Sequence, residues 1–132
     1  MADQISVVIP SRNEARHILT CLRAVRVALR GAGGGEILVV DGRSSDETRT
    51  LVTRFGDEAG VEVRLIDNPA RTKPAAFNLG IRAARHRRVA IVSAHCEVNP
   101  EFFAAAHRRL DAGEADIVGG PIRAEPGNDG TL

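Results

Sequence analysis

The sequence predicts an α/β domain in which a mainly parallel sheet lies between two layers of helices, a three-layer α/β/α arrangement. Short runs of β-branched residues recur along the 132-residue chain, at 5–9 (ISVVI), 37–40 (ILVV), 61–66 (VEVRLI), 89–92 (VAIV) and, more weakly, 116–118 (DIV). The segments between them carry apolar residues at helical spacing. Strands alternating with helices of ten to sixteen residues form right-handed crossovers, and these give a parallel sheet covered on both sides. The expected order is β-α-β-α-β-α-β-α-β, with strands buried on both faces.

The first strand is expected to end at Pro10. The first helix follows Asn13-Glu14 and aligns Ile18, Leu22, Val25 and Leu29 in one stripe. GAGGG at 31–35 follows that helix and precedes a strand, so it reads as a helix-to-strand turn and not as a dinucleotide-binding loop. The second helix is signalled by Ser44-Ser45-Asp46-Glu47, in which Ser44 caps the first turn and Glu47 reaches back, ahead of Leu51 and Phe55. A third begins near Pro74 and carries Phe77, Ile81 and Ala84 inward. The fourth begins at Asn99-Pro100, with Phe103, Ala106 and Leu110 on its stripe. Residues 1–120 read as one domain, and residues 121–132, rich in Gly and Pro, as a flexible tail or the start of a further half.

Composition narrows the function classes. Eighteen basic residues balance seventeen acidic ones and are spread through helix-like stretches, which argues against a nucleic-acid binder. Four Phe with no Trp or Tyr leave no stacking platform for bases or sugars, so a ligand must be held by polar groups and backbone. The two cysteines, Cys21 and Cys96, form no CxxC, and MADQISVVIP is not a signal peptide; a reduced, cytoplasmic protein is expected. Apolar runs of four or five residues are too short to cross a bilayer, which leaves membrane contact to other segments or to peripheral association.

In a parallel sheet, ligands sit outside the carboxyl ends of the strands. Four polar segments fall there: PSRNE at 10–14, DGRSSDE at 41–47, DNPARTKP at 67–74 and SAHCE at 93–97. Pro10, Ser11, Arg12, Asn13 and Glu14 offer side-chain donors and acceptors plus the N–H groups of a helix start, which suits an anion or the polar edge of a nucleotide, and equally suits a plain helix cap. Asp41 would stand at the mouth of the sheet, freed for a ligand because Ser44 is the better cap. Arg71 and Lys73 enter a helix N-terminus against its dipole, a placement that makes sense where a diphosphate must be neutralised, and that a solvated basic loop explains as well. After the fourth strand, extended geometry would point His95 and Glu97 one way and Cys96 the other, into the core. A self-standing zinc cluster is not expected, because His17, His86, His107 and Cys21 fall in helices without ligand spacing. A phosphoacceptor receiver would need an acidic pair where PSRNE stands.

Taken together, VVIPSRNE, ILVVDGRSSDET, ARTKPAAFNLGIRAAR and IVSAHCEVNPEFF resemble, in order and spacing, the nucleotide-sugar half of family 2 glycosyltransferases, inverting enzymes of the GT-A fold. The resemblance implies that Pro10 to Glu14 and Asp41 hold the base and ribose of a nucleotide, most often UDP. It puts Arg71 and Lys73 near the base or diphosphate, and packs the helix containing Asn78 beneath the donor. The family's Asp-x-Asp falls on Ser93-Ala94-His95, with some similarity to the succinoglycan-type glucosyltransferases, which carry Asp-Ala-His there. Ser93 can still hydrogen-bond a hydroxyl and His95 can ligate a metal, with Glu97 assisting; the loss of two carboxylates shifts the expected cation from Mg²⁺ towards Mn²⁺. The implied partners are a nucleotide-diphosphate sugar and a saccharide or lipid-linked acceptor, at the inner face of a membrane. The catalytic base is expected beyond Leu132. A nucleotide-binding module without catalysis is the alternative that Ser93 raises.

Overall fold

In the computed structural model, the described residues are 3–115, 118 and 119. They form β1 (Ile5–Ser11), α1 (Ile18–Gly31), β2 (Gly35–Asp41), α2 (Thr48–Glu58), β3 (Glu62–Asp67), α3 (Lys73–Ala83), β4 (Arg88–Ile91) and α4 (Phe102–Asp111). The four strands make one sheet in the order β3-β2-β1-β4, all pairs parallel. The weak DIV strand lies largely outside the described residues, as does the 121–132 tail.

Alternation along the two central strands builds two cores. Ile5, Val7 and Ile9 of β1 and Ile37 and Val39 of β2 face α1, α2 and α4, and meet the expected stripe of Ile18, Leu22, Val25 and Leu29. Val8, Leu38 and Val40 point to the other face, where Ala76 of α3 closes a smaller cluster. Only β1 and β2 are buried on both faces. β3 and β4 are edges, and each alternates between half-buried and exposed residues. Val89 and Ile91 share the face of Ser6 and Val8 and are 38% and 50% exposed, because α3 packs on β1 and β2 instead of β4.

Several boundaries differ from the expectation. Pro10 does not end β1, which runs through it to Ser11; the partner strand there is β2, and a proline tolerates a parallel ladder position that asks no N–H of it. The GAGGG turn is as expected: Gly33 and Gly34 adopt φ of 98° and 96°, and the Gly34 N–H donates to the Leu29 carbonyl at 2.8 Å. α1 starts at Ile18, four residues after Glu14, and α2 at Thr48 instead of just after Ser44. The expected capping box is absent: Glu47 occupies the N-cap without a side-chain bond, and Ser44 is used elsewhere. On α3, Ile81 is 50% exposed; Ala76 and Gly80 are the buried residues, since only small side chains let this helix approach Val8. Phe103 of α4 is buried as expected, but the next buried position is His107, not Leu110.

Candidate functional site

The register sets Ser11, Asp41 and Asp67 side by side at the carboxyl ends of β1, β2 and β3, and β4 continues alongside β1 through a bond from the Val92 N–H to the Val8 carbonyl at 3.0 Å. The four polar segments therefore converge on one edge of the sheet, as the parallel topology requires.

The first two segments are stitched together. Asn13 has a positive φ of 53°, a conformation that Asn tolerates better than most residues. Its N–H donates to Ser44 Oγ at 2.8 Å, and its side-chain oxygen accepts from the Ser45 N–H at 2.8 Å and the Asp46 N–H at 3.3 Å. The Glu14 N–H donates to Thr48 Oγ1 at 2.9 Å, and the Ala15 N–H to Asp46 Oδ2 at 3.2 Å. The N–H groups of Asn13, Glu14 and Ala15, expected to be open to an anion, are thus consumed within the protein. Asp46 also accepts from the Thr48 hydroxyl, and this bond, with others from Thr48 and Ala15 N–H groups, holds its carboxyl below the usual range.

Asp41 is 1% exposed. Its Oδ1 accepts from the Ser44 hydroxyl at 2.5 Å and its Oδ2 from the Ser44 N–H at 2.9 Å, with Arg49 Nε at 3.7 Å. The expectation that Ser44 would cap a helix and so free Asp41 is reversed: Ser44 orients Asp41. A relay runs from the Asn13 N–H through the Ser44 hydroxyl to the carboxylate, leaving each carboxylate oxygen capacity for a further donor.

Two buried polar atoms flank Asp41 without partners, Ser11 Oγ and Asn68 Oδ1, on residues 7% and 2% exposed. The Asn68 N–H donates to the Asp41 carbonyl at 2.8 Å and its side-chain amide to the Thr72 carbonyl at 2.9 Å. Buried unpaired groups are uncommon because each forfeits hydration without replacement. Asn68 was not singled out from sequence; its signal was only its place directly after β3.

The cations stand around this floor. Arg12, Arg71 and Lys73 are exposed. A Cβ on Gly42 would lie 3.5 Å from the Arg12 side chain and 3.4 Å from Arg71 Cα, so the loops after β1, β2 and β3 meet at this glycine. Arg71 has a φ of 63°, its N–H bonded to the Asn68 carbonyl at 3.1 Å. Thr72 caps α3 by accepting from the Ala75 N–H at 3.4 Å. Asn78 is exposed on α3 and lies off its packed face of Ala76 and Gly80.

After β4 the chain does not stay extended. A turn closes from the Cys96 N–H to the Ser93 carbonyl at 3.0 Å, with Ala94 buried. His95 is exposed; its Nδ1 lies 3.6 Å from Glu14 Oε1, its ring 6.4 Å from that of His17, and Ser93 Oγ within 3.2–3.3 Å of the ring nitrogens. Glu14, not the expected Glu97, is the carboxylate brought to His95. Among the described residues no group of three or more His, Cys, Asp or Glu is arranged to hold a metal ion. Cys96 packs against the core as expected, and Cys21 donates to the Ser93 carbonyl at 3.4 Å; burial, with Cys96 and Glu14 nearby, pushes its thiol up to about 12.

Comparison with known proteins agrees with this geometry. The profile described as Glycosyl transferase family 2 matches residues 6–132. Glycosyltransferase AglE of Haloferax volcanii is 29% identical over 127 residues, 96% of this chain and 42% of that protein. The structure of S. aureus TarS 1-349 in complex with UDP superposes with a TM-score of 0.72 at 18% identity, covering 90% of this chain and 38% of that TarS fragment. That of the mannosyltransferase PcManGT from Pyrobaculum calidifontis, in complex with GDP-Man and Mn²⁺, gives 0.71 at 23% identity over 84% of this chain and 33% of that one. The chain thus spans less than half the length of each of these proteins. With its parallel sheet, its strand-end cluster and a profile match over nearly its whole length, the chain belongs to glycosyltransferase family 2, with the GT-A fold.

Proposed function

We propose that the chain is the donor-binding part of an inverting glycosyltransferase that holds a nucleotide-diphosphate sugar, a UDP-sugar first among them, at the carboxyl edge of β1, β2 and β4. The observation that carries this reading is the buried floor of Asp41 between the unpartnered Ser11 Oγ and Asn68 Oδ1. A carboxylate and an amide oxygen present acceptors to the N–H edge of a base, and the Ser11 hydroxyl serves a base carbonyl or the ribose. Arg12, Arg71 and Lys73 neutralise the diphosphate, Ser93 bonds a sugar or ribose hydroxyl, and Pro10, Ala94 and Asn78 shape the walls. PcManGT was solved with Mn²⁺. His95 and Glu14, 3.6 Å apart, are a nitrogen and an oxygen donor that fit such an ion; the remaining ligands would be diphosphate oxygens. A cation there supplies charge for the departing diphosphate. The base that deprotonates the acceptor, a saccharide or lipid-linked hydroxyl, is assigned to residues after Leu132. No helix among the described residues is long and apolar enough to cross a membrane; cytoplasmic placement, at the inner membrane face, belongs to this proposal.

Isothermal titration with UDP, UDP-GlcNAc and GDP-Man, with and without Mn²⁺, tests the reading; binding of at least one is expected, and silence with all of them refutes it. His95→Ala is expected to remove the Mn²⁺ dependence while leaving metal-free nucleotide binding intact. Ser93, a neutral residue where the family's first carboxylate stands, motivates a second reading, a nucleotide-binding module without catalysis. Under it, the chain joined to its C-terminal continuation binds the nucleotide yet neither transfers nor hydrolyses the donor sugar.

A further inference from the structure

The arginines divide into two populations. Arg43, Arg49, Arg64, Arg85, Arg87 and Arg88 each have a carboxylate within 4.0 Å, at the strand ends or at the lower rim of the sheet. Among the described residues ten others have none: Arg23, Arg26 and Arg30 on α1, Arg54 on α2 and Arg16 in the turn before α1 line one side of the molecule, while Arg12, Arg71, Arg82, Arg108 and Arg109 stand singly or in pairs on other faces. Helix α1 contains no acidic residue over 14 positions, a span of about 21 Å. Between the helices runs a groove of about 500 Å³, floored by Leu19, Leu51 and Phe55 and rimmed by Arg23, Arg26 and Arg54, with Glu58 the one acidic group. The Arg26 guanidinium lies 5.0 Å over the Phe55 ring, and its Nε is buried without a partner. Val27 is 48% exposed on the same stripe.

Holding five like charges along α1 and the facing side of α2, with Glu58 the acidic group of the groove between them, is repulsive. From this surface we infer that the α1–α2 face docks on an anionic phospholipid surface, the guanidinium groups taking lipid phosphates while the groove admits an acyl or glycerol segment. The charge is spread along a whole helix with no matching polar pattern, which suits a diffuse negative plane. A protein partner would need an apolar core, and Phe55 and Leu51 are already largely covered by this chain. The stripe begins at Arg16, beside the strand-end loops, so docking would bring the rim of the donor site to the bilayer. The inference stands on this surface alone and does not need the nucleotide-sugar reading.

The test is co-sedimentation of the chain with vesicles of phosphatidylcholine alone or mixed with phosphatidylglycerol, at low and high salt. Binding only to the anionic vesicles and release by salt are expected. Arg23→Gln with Arg26→Gln and Arg54→Gln is expected to weaken partitioning about a hundredfold, each arginine at an anionic surface contributing roughly fivefold. Because Arg26 is packed, the exposed pair Arg23→Gln and Arg54→Gln is measured too, with about a 25-fold loss expected. Arg82→Gln with Arg87→Gln removes the same charge outside this face and should bind as the parent does. Absence of binding, equal loss in that control, or capture by poly-glutamate at a salt concentration that releases the vesicles would each overturn the inference; the last would make the partner an acidic protein.

Discussion

Gly80→Ala tests how closely α3 must approach the sheet to form the site. A Cβ on Gly80 would lie 2.3 Å from Val8 Cγ1, 2.9 Å from Cγ2 and 3.2 Å from Cβ, whereas carbon atoms prefer about 3.5–4.0 Å. Val8 is fully buried in the central strand and has nowhere to turn, so the helix must lift. Overpacking of this severity costs about 3 kcal/mol, and alanine returns about 1 kcal/mol of helix propensity, leaving a net loss of about 2 kcal/mol. In a domain of this size that is a fall in Tm of about 8 °C. Val8→Ala removes both methyls in conflict and by itself costs about 2 kcal/mol. Combined, the clash is relieved and the helix-propensity return remains, so the two substitutions should cost about 1 kcal/mol instead of the additive 4, a coupling of about 3 kcal/mol. With no Trp or Tyr in the chain, urea melts followed by far-UV circular dichroism are the suitable assay. Because α3 carries Thr72 and, through it, Asn68, Gly80→Ala should also weaken nucleotide binding. Additive costs within about 0.5 kcal/mol, or a rise in Tm, would refute the packing argument.

Glu36, 1% exposed, accepts from the Ser6 hydroxyl at 2.6 Å, the Arg85 N–H at 2.7 Å and Arg64 at 2.8 Å. Burial alone would raise its carboxyl, but these partners outweigh burial and hold it below 4.5; the stability it contributes is present above that value and disappears as pH falls through the lowered one. Glu36→Gln should cost about 3 kcal/mol at neutral pH and flatten that acid limb in melts across the acid range. For His107, burial first and Arg88 second hold the imidazole below 6.5, and its Nδ1 lies 2.6 Å from Arg88 Nη1, as a neutral ring can accept. Since the unfolded chain takes up the proton that the folded one resists, stability should fall as pH drops through 6.5, and His107→Asn should lack that step in melts on either side of it. Asp41→Asn should weaken nucleotide binding about tenfold or more by calorimetry, the loss of a charged hydrogen bond being about 1.5–3 kcal/mol; unchanged affinity would remove Asp41 from the base-reading role.

What the sequence determined was the alternation and its consequence. Runs such as ILVV are apolar on both faces, and stripes such as Ile18-Leu22-Val25-Leu29 have one face to bury, so the layers and the strand ends that gather Ser11, Asp41, Asn68 and His95 follow from periodicity, which is local. The register of motifs likewise carried the family. Hydrogen-bond ownership was not legible, because it depends on distance between loops far apart in sequence. Ser44 reads as a cap for the residues after it, yet Asn13, 31 residues earlier, supplies the N–H that turns its hydroxyl towards Asp41. Glu97 stands two residues from His95, but the fold brings Glu14 instead. Edge exposure of β4 and the inward face of α3 are also tertiary outcomes: a strand is half-covered, and a glycine is chosen over Ile81 as the contact, only once the helix that packs there has a position.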